Sequence, residues 1–253
     1  MKHLKHALFS EILKLRRTLV LWVTFLAPTT VAALYFLILL SANGQNAYDN
    51  DPQAWWGLTK SVCSIWSAAM LPLFITLKTA LLGNIEHSQR HWKHLYALPV
   101  PRASLFAAKW LVSIFLAGLA SAVLLAEIIG TGLFMRWIRP QMGFGHLMPL
   151  WMMVRAVGGV FLASLLVISI HTWVGLRFQS FAFASGLGIA ATITNIMVLN
   201  SDKWGQIYPW ALSLHSYANQ NANLPRLYAL AIGGGLLAAL AGAIELSRRD
   251  ILE

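Results

Sequence analysis

The sequence has little cysteine and little charge, and each shortage excludes a class of protein. Cys63 is the single cysteine among 253 residues, so the chain can form no intrachain disulfide, thiolate metal cluster or redox pair. Charged residues make up 11% of the chain, against roughly 25% in a soluble globular domain. With 58% hydrophobic residues, the composition indicates an integral membrane protein.

Acidic residues are scarce as well, which leaves a formal net charge of +10. Such an excess is common in nucleic-acid-binding proteins, but no basic stripe interleaved with stacking aromatic residues stands outside the apolar runs. Basic residues scattered between apolar runs are typical of the cytoplasmic loops of membrane proteins. We therefore expect membrane lipids, and no nucleic acid, among the partners.

The sequence also lacks a G-x-x-x-x-G-K-[ST] loop. Its glycine runs at 158–159 and 233–235 lie within apolar segments and are not followed by lysine. The chain therefore cannot hold nucleotide phosphates by that route. We expect it to bind no cofactor and to be no enzyme in its own right.

Six apolar runs are long enough to cross about 30 Å of hydrocarbon, which requires about 20 residues in a helix. They cover residues 19–41, 60–82, 108–134, 151–174, 181–200 and 225–246. Before them, residues 1–18 place Leu4, Leu8, Ile12 and Leu15 at helical spacing, which predicts an interfacial helix. The first apolar run is longer than the core of a signal peptide, so we expect it to remain attached.

The basic residues are distributed unevenly about these runs. An even number of spans places both termini on one side, and thirteen Lys and Arg fall there against six on the other. The positive-inside rule then predicts cytoplasmic N- and C-termini. The thirteen are Lys2, Lys5, Lys14, Arg16, Arg17, Lys78, Arg90, Lys93, Arg102, Lys109, Arg177, Arg248 and Arg249, and the six are Lys60, Arg136, Arg139, Arg155, Lys203 and Arg226.

Residues 201–224, between the last two spans, are too apolar for a solvated loop. Trp204, Tyr208 and Trp210 surround Pro209 there. We expect two short helices, broken at Pro209, that dip back into the outer leaflet, where buried backbone is tolerated. The predicted fold is thus an all-α integral membrane protein with six transmembrane helices, an N-terminal interfacial helix and short re-entrant external helices before the last span.

A carboxylate lies within the third apolar run. Glu127 would cost about 2.5–3.5 kcal/mol at the centre of a bilayer, so it requires a partner. Because the third span runs outward and the fourth inward, Arg155 falls at a similar depth, and we predict an intramembrane polar pair between them. The pair serves either to join helices or in substrate binding and gating. An acid–base pair of Glu127 and His171 would instead make a membrane enzyme, but their different depths argue against proton transfer.

Three histidines follow helical spacing beside the most polar segment of the chain. His87, His91 and His94 could share one face and hold a metal ion. No carboxylate follows among them, and His, Arg and Trp are normal residues for a membrane surface. We therefore predict no metal site.

The most polar segment, residues 83–108, lies between the second and third runs. Glu86 to Tyr96 can form a short helix, which Pro99 and Pro101 would end because proline lacks the N–H and clashes with the preceding turn. Arg102 and Lys109 flank the next span. The pattern is typical of a cytoplasmic docking loop.

This segment resembles the cytoplasmic coupling segment of ABC-type-2 transporter permeases. In that family a Glu precedes a short helix, a Leu-Pro-Val-x-Arg element and a Lys entering the next span. The corresponding residues here are Glu86, Leu98-Pro99-Val100, Arg102 and Lys109. Asn84, Trp92-Lys93 and Leu95 further resemble the lantibiotic-protection group, permeases that give producing cells immunity to membrane-active peptides. In pattern the resemblance covers the whole chain, 1–253, as a single permease domain.

The resemblance implies a function. The chain would be the membrane-spanning permease subunit of an ATP-driven exporter in the bacterial cytoplasmic membrane, expelling amphipathic antimicrobial peptides. The alternatives are an exporter of lipid-linked or small-molecule antibiotics, or a non-transporting sensor or scaffold bound to an ATPase. The expected partners are separate ABC ATPase subunits carrying ATP and Mg²⁺, a second identical or paralogous permease, and a peptide or hydrophobic substrate. The expected ATPase-coupling residues are Glu86, Arg90, Trp92, Lys93, Pro99 and Arg102.

Overall fold

The computed structural model describes residues 2–15, 18–41, 48–88, 101–198, 201, 204–217 and 223–248. These residues are almost entirely helical. They contain no β-strand, only an isolated β-bridge between Asp49 and Met142. The helices are α1 Lys2–Leu15, α2 Leu19–Leu40, α3 Ala54–Ile65, α4 Leu71–Ser88, α5 Arg102–Ile138, α6 Leu150–Ala163, α7 Leu165–Arg177, α8 Phe181–Val198, α9 Leu212–His215, α10 Leu224–Tyr228 and α11 Gly234–Arg248. The predicted all-α class is confirmed.

Within the described residues, six helical segments are long and apolar enough to cross a membrane. They are, from the first span to the sixth, Leu19–Leu40, Ala54–Glu86, Arg102–Ile138, Leu150–Arg177, Phe181–Val198 and Leu224–Arg248. The six predicted runs are therefore confirmed, although the second and third spans extend beyond the apolar runs at both ends. These helices continue through polar residues because helical backbone hydrogen bonds do not require apolar side chains.

Two spans contain a stretch of π-helix, Trp66–Met70 in the second and Ala229–Gly233 in the sixth. A π-helix disrupts the regular backbone hydrogen bonds and often marks a functional position. Asn195 of the fifth span donates a hydrogen bond from its side-chain amide to the carbonyl of Ala68 in the second span, at 2.8 Å. The fifth span therefore supplies a hydrogen bond to the π-helical part of the second.

The second and fourth spans approach closely through two glycines. A Cβ built on Gly83 would lie 1.9 Å from the carbonyl oxygen of Gly175. Small residues permit this kind of backbone contact between membrane helices. The contact fixes the end of the second span, which carries Glu86.

At the opposite end of the bundle, the connections after the first and third spans bind each other. The Asn50 N–H donates to the Gln141 carbonyl at 3.0 Å, and the Gly143 N–H donates to the Tyr48 carbonyl at 2.8 Å. Arg139 donates to the carbonyls of Leu39 and Leu40, at 2.6 and 2.8 Å. These are orphan acceptors at the end of α2, so the guanidinium caps the first span.

The segment before the sixth span packs against the fourth and fifth spans. The Tyr208 hydroxyl donates to the Ala191 carbonyl at 2.9 Å, and Ala191 lies about 15 Å along the fifth span from Phe181. Buried Trp210 meets the His171 ring edge-on with centroids 5.6 Å apart. The prediction of two helices about Pro209 is wrong for the described residues: 204–211 form turns, and only Leu212–His215 is helical.

Candidate functional site

Four charged side chains meet where α1 crosses the ends of the second and third spans. The Glu86 carboxylate accepts from Lys14 at 2.7 Å and from Lys109 at 2.8 Å, through the same oxygen, Oε1. Glu11 accepts from Lys109 at 2.7 Å and from Lys14 at 2.9 Å. These four residues are called the ion cluster below, and their end of the bundle the cluster end.

The position of each member of the ion cluster along its helix brings the four side chains together. Glu11 and Lys14 are three residues apart and share a face of α1. Glu86 lies near the end of α4, and Lys109 lies two turns inside α5. The cluster therefore joins three helices that are separate in the sequence.

Apolar contacts hold α1 in place on both sides of the ion cluster. On one side Ala7 packs against Leu105 and Ala108. On the other, Leu15 packs with Val112 and Leu116 of the third span, in a group that also contains Val20 and Leu82. A helix thus forms over the predicted residues. Its Leu8 and Leu15 pack on the protein itself, whereas Ile12 of the predicted apolar face is 52% exposed.

The ion cluster is balanced in charge and almost closed to solvent. The side chain of Glu86 is 0% exposed, and those of Lys109 and Glu11 are each 5% exposed. Burying ions is costly unless geometry and hydrogen bonding compensate, and removing one partner leaves an uncompensated charge. The second oxygen of Glu86, Oε2, is buried without a hydrogen-bond partner among the described residues.

Lys14 is the most accessible member, with 24% of its side chain exposed. Burial opposes its charged form, but the charges of Glu11 and Glu86 and the hydrogen bonds to them outweigh this effect. The pKa of the Lys14 ammonium is consequently raised above its ordinary value of 10.5. Lys14 is therefore charged at neutral pH and links the two carboxylates.

The structure describes two of the six predicted coupling residues, Glu86 and Arg102. Glu86 lies in the last turns of α4 and not at the start of a separate helix, so it cannot cap one, and its burial prevents direct contact with another protein. Of the predicted loop of 83–108, residues 83–88 belong to α4 and residues 102–108 to α5. Arg102 is half-buried at the first turn of α5.

The remaining predicted coupling residues, Arg90, Trp92, Lys93 and Pro99, lie outside the described residues, as do His91 and His94. Their roles therefore remain predictions. Within the described ranges, no group of His, Cys, Asp and Glu is placed to hold a metal ion.

Sequence reasoning missed that Glu11, Lys14 and Lys109 are partners of Glu86. The i, i+3 spacing of Glu11 and Lys14 was the available signal, together with Lys109 at the end of the resembling segment. Sequence reasoning also counted Lys78 among the thirteen basic residues on the side of the two termini. Lys78 is completely buried in the second span, where its ammonium donates to the Ser113 carbonyl and lies 5.1 Å from the Phe74 ring.

The predicted pair of Glu127 and Arg155 does not form. Glu127 accepts a hydrogen bond from the Thr29 hydroxyl of the first span, while Arg155 is exposed on the fourth. The orientation of the third span explains this. Gly118 faces the fourth span, since a Cβ there would lie 3.5 Å from the Phe161 ring. Nine residues rotate a helix by about two and a half turns, so Glu127 projects from the opposite side.

Six membrane-length helices and a charged cluster at one end of the bundle define a multi-pass membrane protein. The family model described as "ABC-2 family transporter protein" matches residues 7–195, about three quarters of the chain. The chain belongs to this family, which confirms the broader of the two resemblances. Searches of the curated proteins and of the solved structures gave no match.

Membership of this family makes the chain the membrane component of an ABC transporter and implies an ABC ATPase as a general partner. The matched region contains all four residues of the ion cluster. The cluster therefore lies within the part of the chain that carries the family resemblance.

Proposed function

We propose that the chain is the permease subunit of an ATP-driven exporter and that the ion cluster transmits force from a separate ATPase to the spans. The observation that carries this proposal is the pairing of Glu86 with both Lys14 and Lys109. The two lysines belong to α1 and the third span, and Glu86 ends the second. A displacement of any one of these helices must move the others or break buried ion pairs.

The position of the cluster relative to the connecting segment supports this role. Residues 89–101 join α4 to α5, and the cluster holds those two helices together close to that connection. A push on the connection would reach the base of two spans at once. Arg90, Trp92, Lys93 and Pro99 are our candidates for direct contact with the ATPase, with Glu86 acting behind them.

The cluster end is assigned to the cytoplasm, with both termini, on the basis of the charge distribution. ATP and Mg²⁺ would bind on the partner ATPase, because this chain lacks a phosphate-binding loop. The complex would contain two permeases, identical or paralogous, and two ATPase subunits. ATPase closure would then tilt the spans and open a path outward between the permeases.

We propose amphipathic antimicrobial peptides as the cargo, which extends the resemblance to the lantibiotic-protection group. Lipid-linked and small-molecule antibiotics are the alternative cargoes. A sensor or scaffold that binds the same ATPase without transport is the alternative function. Stimulation of ATP hydrolysis together with export would support the transporter, because a scaffold needs neither.

The test uses the permease and its ATPase reconstituted in liposomes with a lantibiotic peptide. The double variant Glu86→Gln/Lys109→Met removes the buried ion pairs that link α1 to the two spans but retains the balanced pair of Glu11 and Lys14. We expect it to assemble and to hydrolyse ATP at the basal rate, and to lose peptide-stimulated hydrolysis and export.

The matched control removes the ion pair between Arg177 and Glu245, which lies at the same end with a separation of 2.9 Å. This pair joins the fourth and sixth spans and contains no member of the ion cluster. Arg177→Gln/Glu245→Gln should keep stimulation. Stimulation retained in a well-assembled Glu86→Gln/Lys109→Met complex would refute the transmission role. A wild-type complex that neither responds to nor exports the lantibiotic or either alternative cargo would favour the scaffold.

A further inference from the structure

Glu127 opens into a groove between the first and third spans that faces away from the core. The groove is widely open and has a volume of about 380 Å³. Its lining combines the Glu127 carboxyl and the Thr29 and Thr131 hydroxyls with small residues and two phenylalanine rings. Gly130 lies beside open space in this lining, since a Cβ there would meet no atom within 4 Å.

The carboxyl of Glu127 is only partly satisfied. Thr29 donates to one oxygen, and the other is buried with no hydrogen-bond partner among the described residues. None of the ion pairs in the described part of the chain includes Glu127. An ionisable group at this depth is expensive in hydrocarbon and usually has a functional partner.

Distance along the third span places Glu127 below the headgroup region. It lies about 27 Å from Lys109 at the cluster end and about 15 Å from Trp137 at the other, at 1.5 Å per residue. Trp137 is 78% exposed, as expected of an interfacial aromatic residue. The headgroup ammonium of a phospholipid lies at that interface and would not reach Glu127.

A metal ion fits the groove poorly. Hard cations such as Ca²⁺ take six to eight oxygen ligands, and Mg²⁺ requires near-octahedral geometry. The groove offers one carboxyl and two hydroxyl side chains among apolar neighbours. An organic cation on an apolar skeleton matches both the charge and the lining.

We propose that this groove binds the ammonium or guanidinium group of a cationic amphiphile, with Glu127 as counter-charge. Thr29 orients the carboxyl. Phe36 and Phe134, whose ring centroids are 5.5 Å apart, contact the apolar part of the ligand. As a statement about cargo, this rests on the export function proposed above, whereas the binding itself requires neither ATP nor transport.

The test measures protection of Glu127 from dicyclohexylcarbodiimide, which modifies carboxyl groups in apolar surroundings. The full permease–ATPase complex in lipid nanodiscs, without ATP, is labelled in the presence of decylammonium or of decanol, and the modified peptide is quantified by mass spectrometry. At about ten times its dissociation constant, a ligand leaves roughly one site in eleven free. Decylammonium should then reduce labelling roughly tenfold, and decanol should not.

Three variants make the result specific. Glu127→Gln should abolish the label and so identify the site. Gly130→Leu fills the groove, and its residual labelling should no longer respond to decylammonium. Gly158→Leu, at another helical glycine whose Cβ would meet no atom within 4 Å, should keep the wild-type protection.

Equal protection by decanol would overturn the claim that the groove recognises charge. Absence of wild-type labelling would show that Glu127 is covered, for example by a second copy of the chain, and would also overturn it, as would protection that survives in Gly130→Leu. Peptide-stimulated ATP hydrolysis without decylammonium protection would reject this inference alone. Protection of Glu127 by decylammonium, without stimulated ATP hydrolysis or export, would support the binding site and reject the export function.

Discussion

Replacing Glu86 by glutamine should destabilise the chain more than any loss of an exposed charge at the same end. The carboxylate receives hydrogen bonds from Lys14 and Lys109 and is completely buried. Glutamine keeps the size of the side chain and removes the charge. The two ammonium groups would then share Glu11 alone, which leaves one buried positive charge uncompensated.

Breaking a buried ion pair by removing one partner costs about 3–5 kcal/mol. In Glu86→Gln/Lys109→Met a balanced pair of Glu11 and Lys14 remains, so we expect the double change to cost less than the single one. The matched control is Arg177→Gln. Its partner Glu245 is 41% exposed, and an exposed ion pair contributes about 0–1 kcal/mol.

Cys63 provides the assay. It is the single thiol of the chain, and it is 0% exposed in α3. A maleimide that becomes fluorescent on reaction should therefore report unfolding of the purified permease as the temperature rises. We expect the midpoint to fall most for Glu86→Gln, less for Glu86→Gln/Lys109→Met and least for Arg177→Gln.

Equal midpoints for Glu86→Gln and Arg177→Gln would refute the reasoning, since they would show that the ion cluster contributes no more than an exposed pair. A double variant whose loss equals the sum of its two single losses would show that Glu86 and Lys109 do not interact.

Three further predictions concern orientation, pH and packing. In a cysteine-free background, an impermeant maleimide applied to intact cells should label Leu147→Cys, whose parent residue is 93% exposed, and not Ser247→Cys at the cluster end; the reverse would invert the proposed orientation. Because the pKa of Lys14 is raised in the fold, its contribution should be complete below pH 10.5 and lost as pH rises through the raised value. The alkaline fall in the thermal midpoint, followed by tryptophan fluorescence, should therefore be smaller in Lys14→Met, and an unchanged fall would contradict the pairing. Gly83→Ala should cost about 1–3 kcal/mol by overpacking, whereas Gly158→Ala, with open space, should be neutral or stabilising in the same thermal assay.

The spans could be predicted from the sequence because hydrocarbon imposes their length. A helix must supply about 20 apolar residues to cross it, and every backbone polar group must be satisfied within the segment. All six spans were found on this basis. Their ends were not, because polar residues such as Glu86 and Arg102 continue a helix without any change that the apolar pattern records.

Contact of the segment before the sixth span with its surroundings could be predicted from its apolar residues, but its local structure could not. Trp210 is buried and Tyr208 is half-buried. Their contacts with Ala191 and His171 depend on the packing of the fourth and fifth spans. Pro209 was expected to separate two helices and instead lies within a run of turns.

The sequence alone determined which residues lie in the membrane and which charges must find partners there. The tertiary structure decided which partners they find. Depth along a helix can be counted from the sequence, and by depth Arg155 suited Glu127. The side of a helix that meets a neighbour depends on how the whole bundle packs, and this rotation turns Glu127 to Thr29. The packing of the bundle also brings Glu86 to Lys14, 72 residues away. This contact could not be predicted, because two helices that cross at the membrane surface share no local sequence pattern.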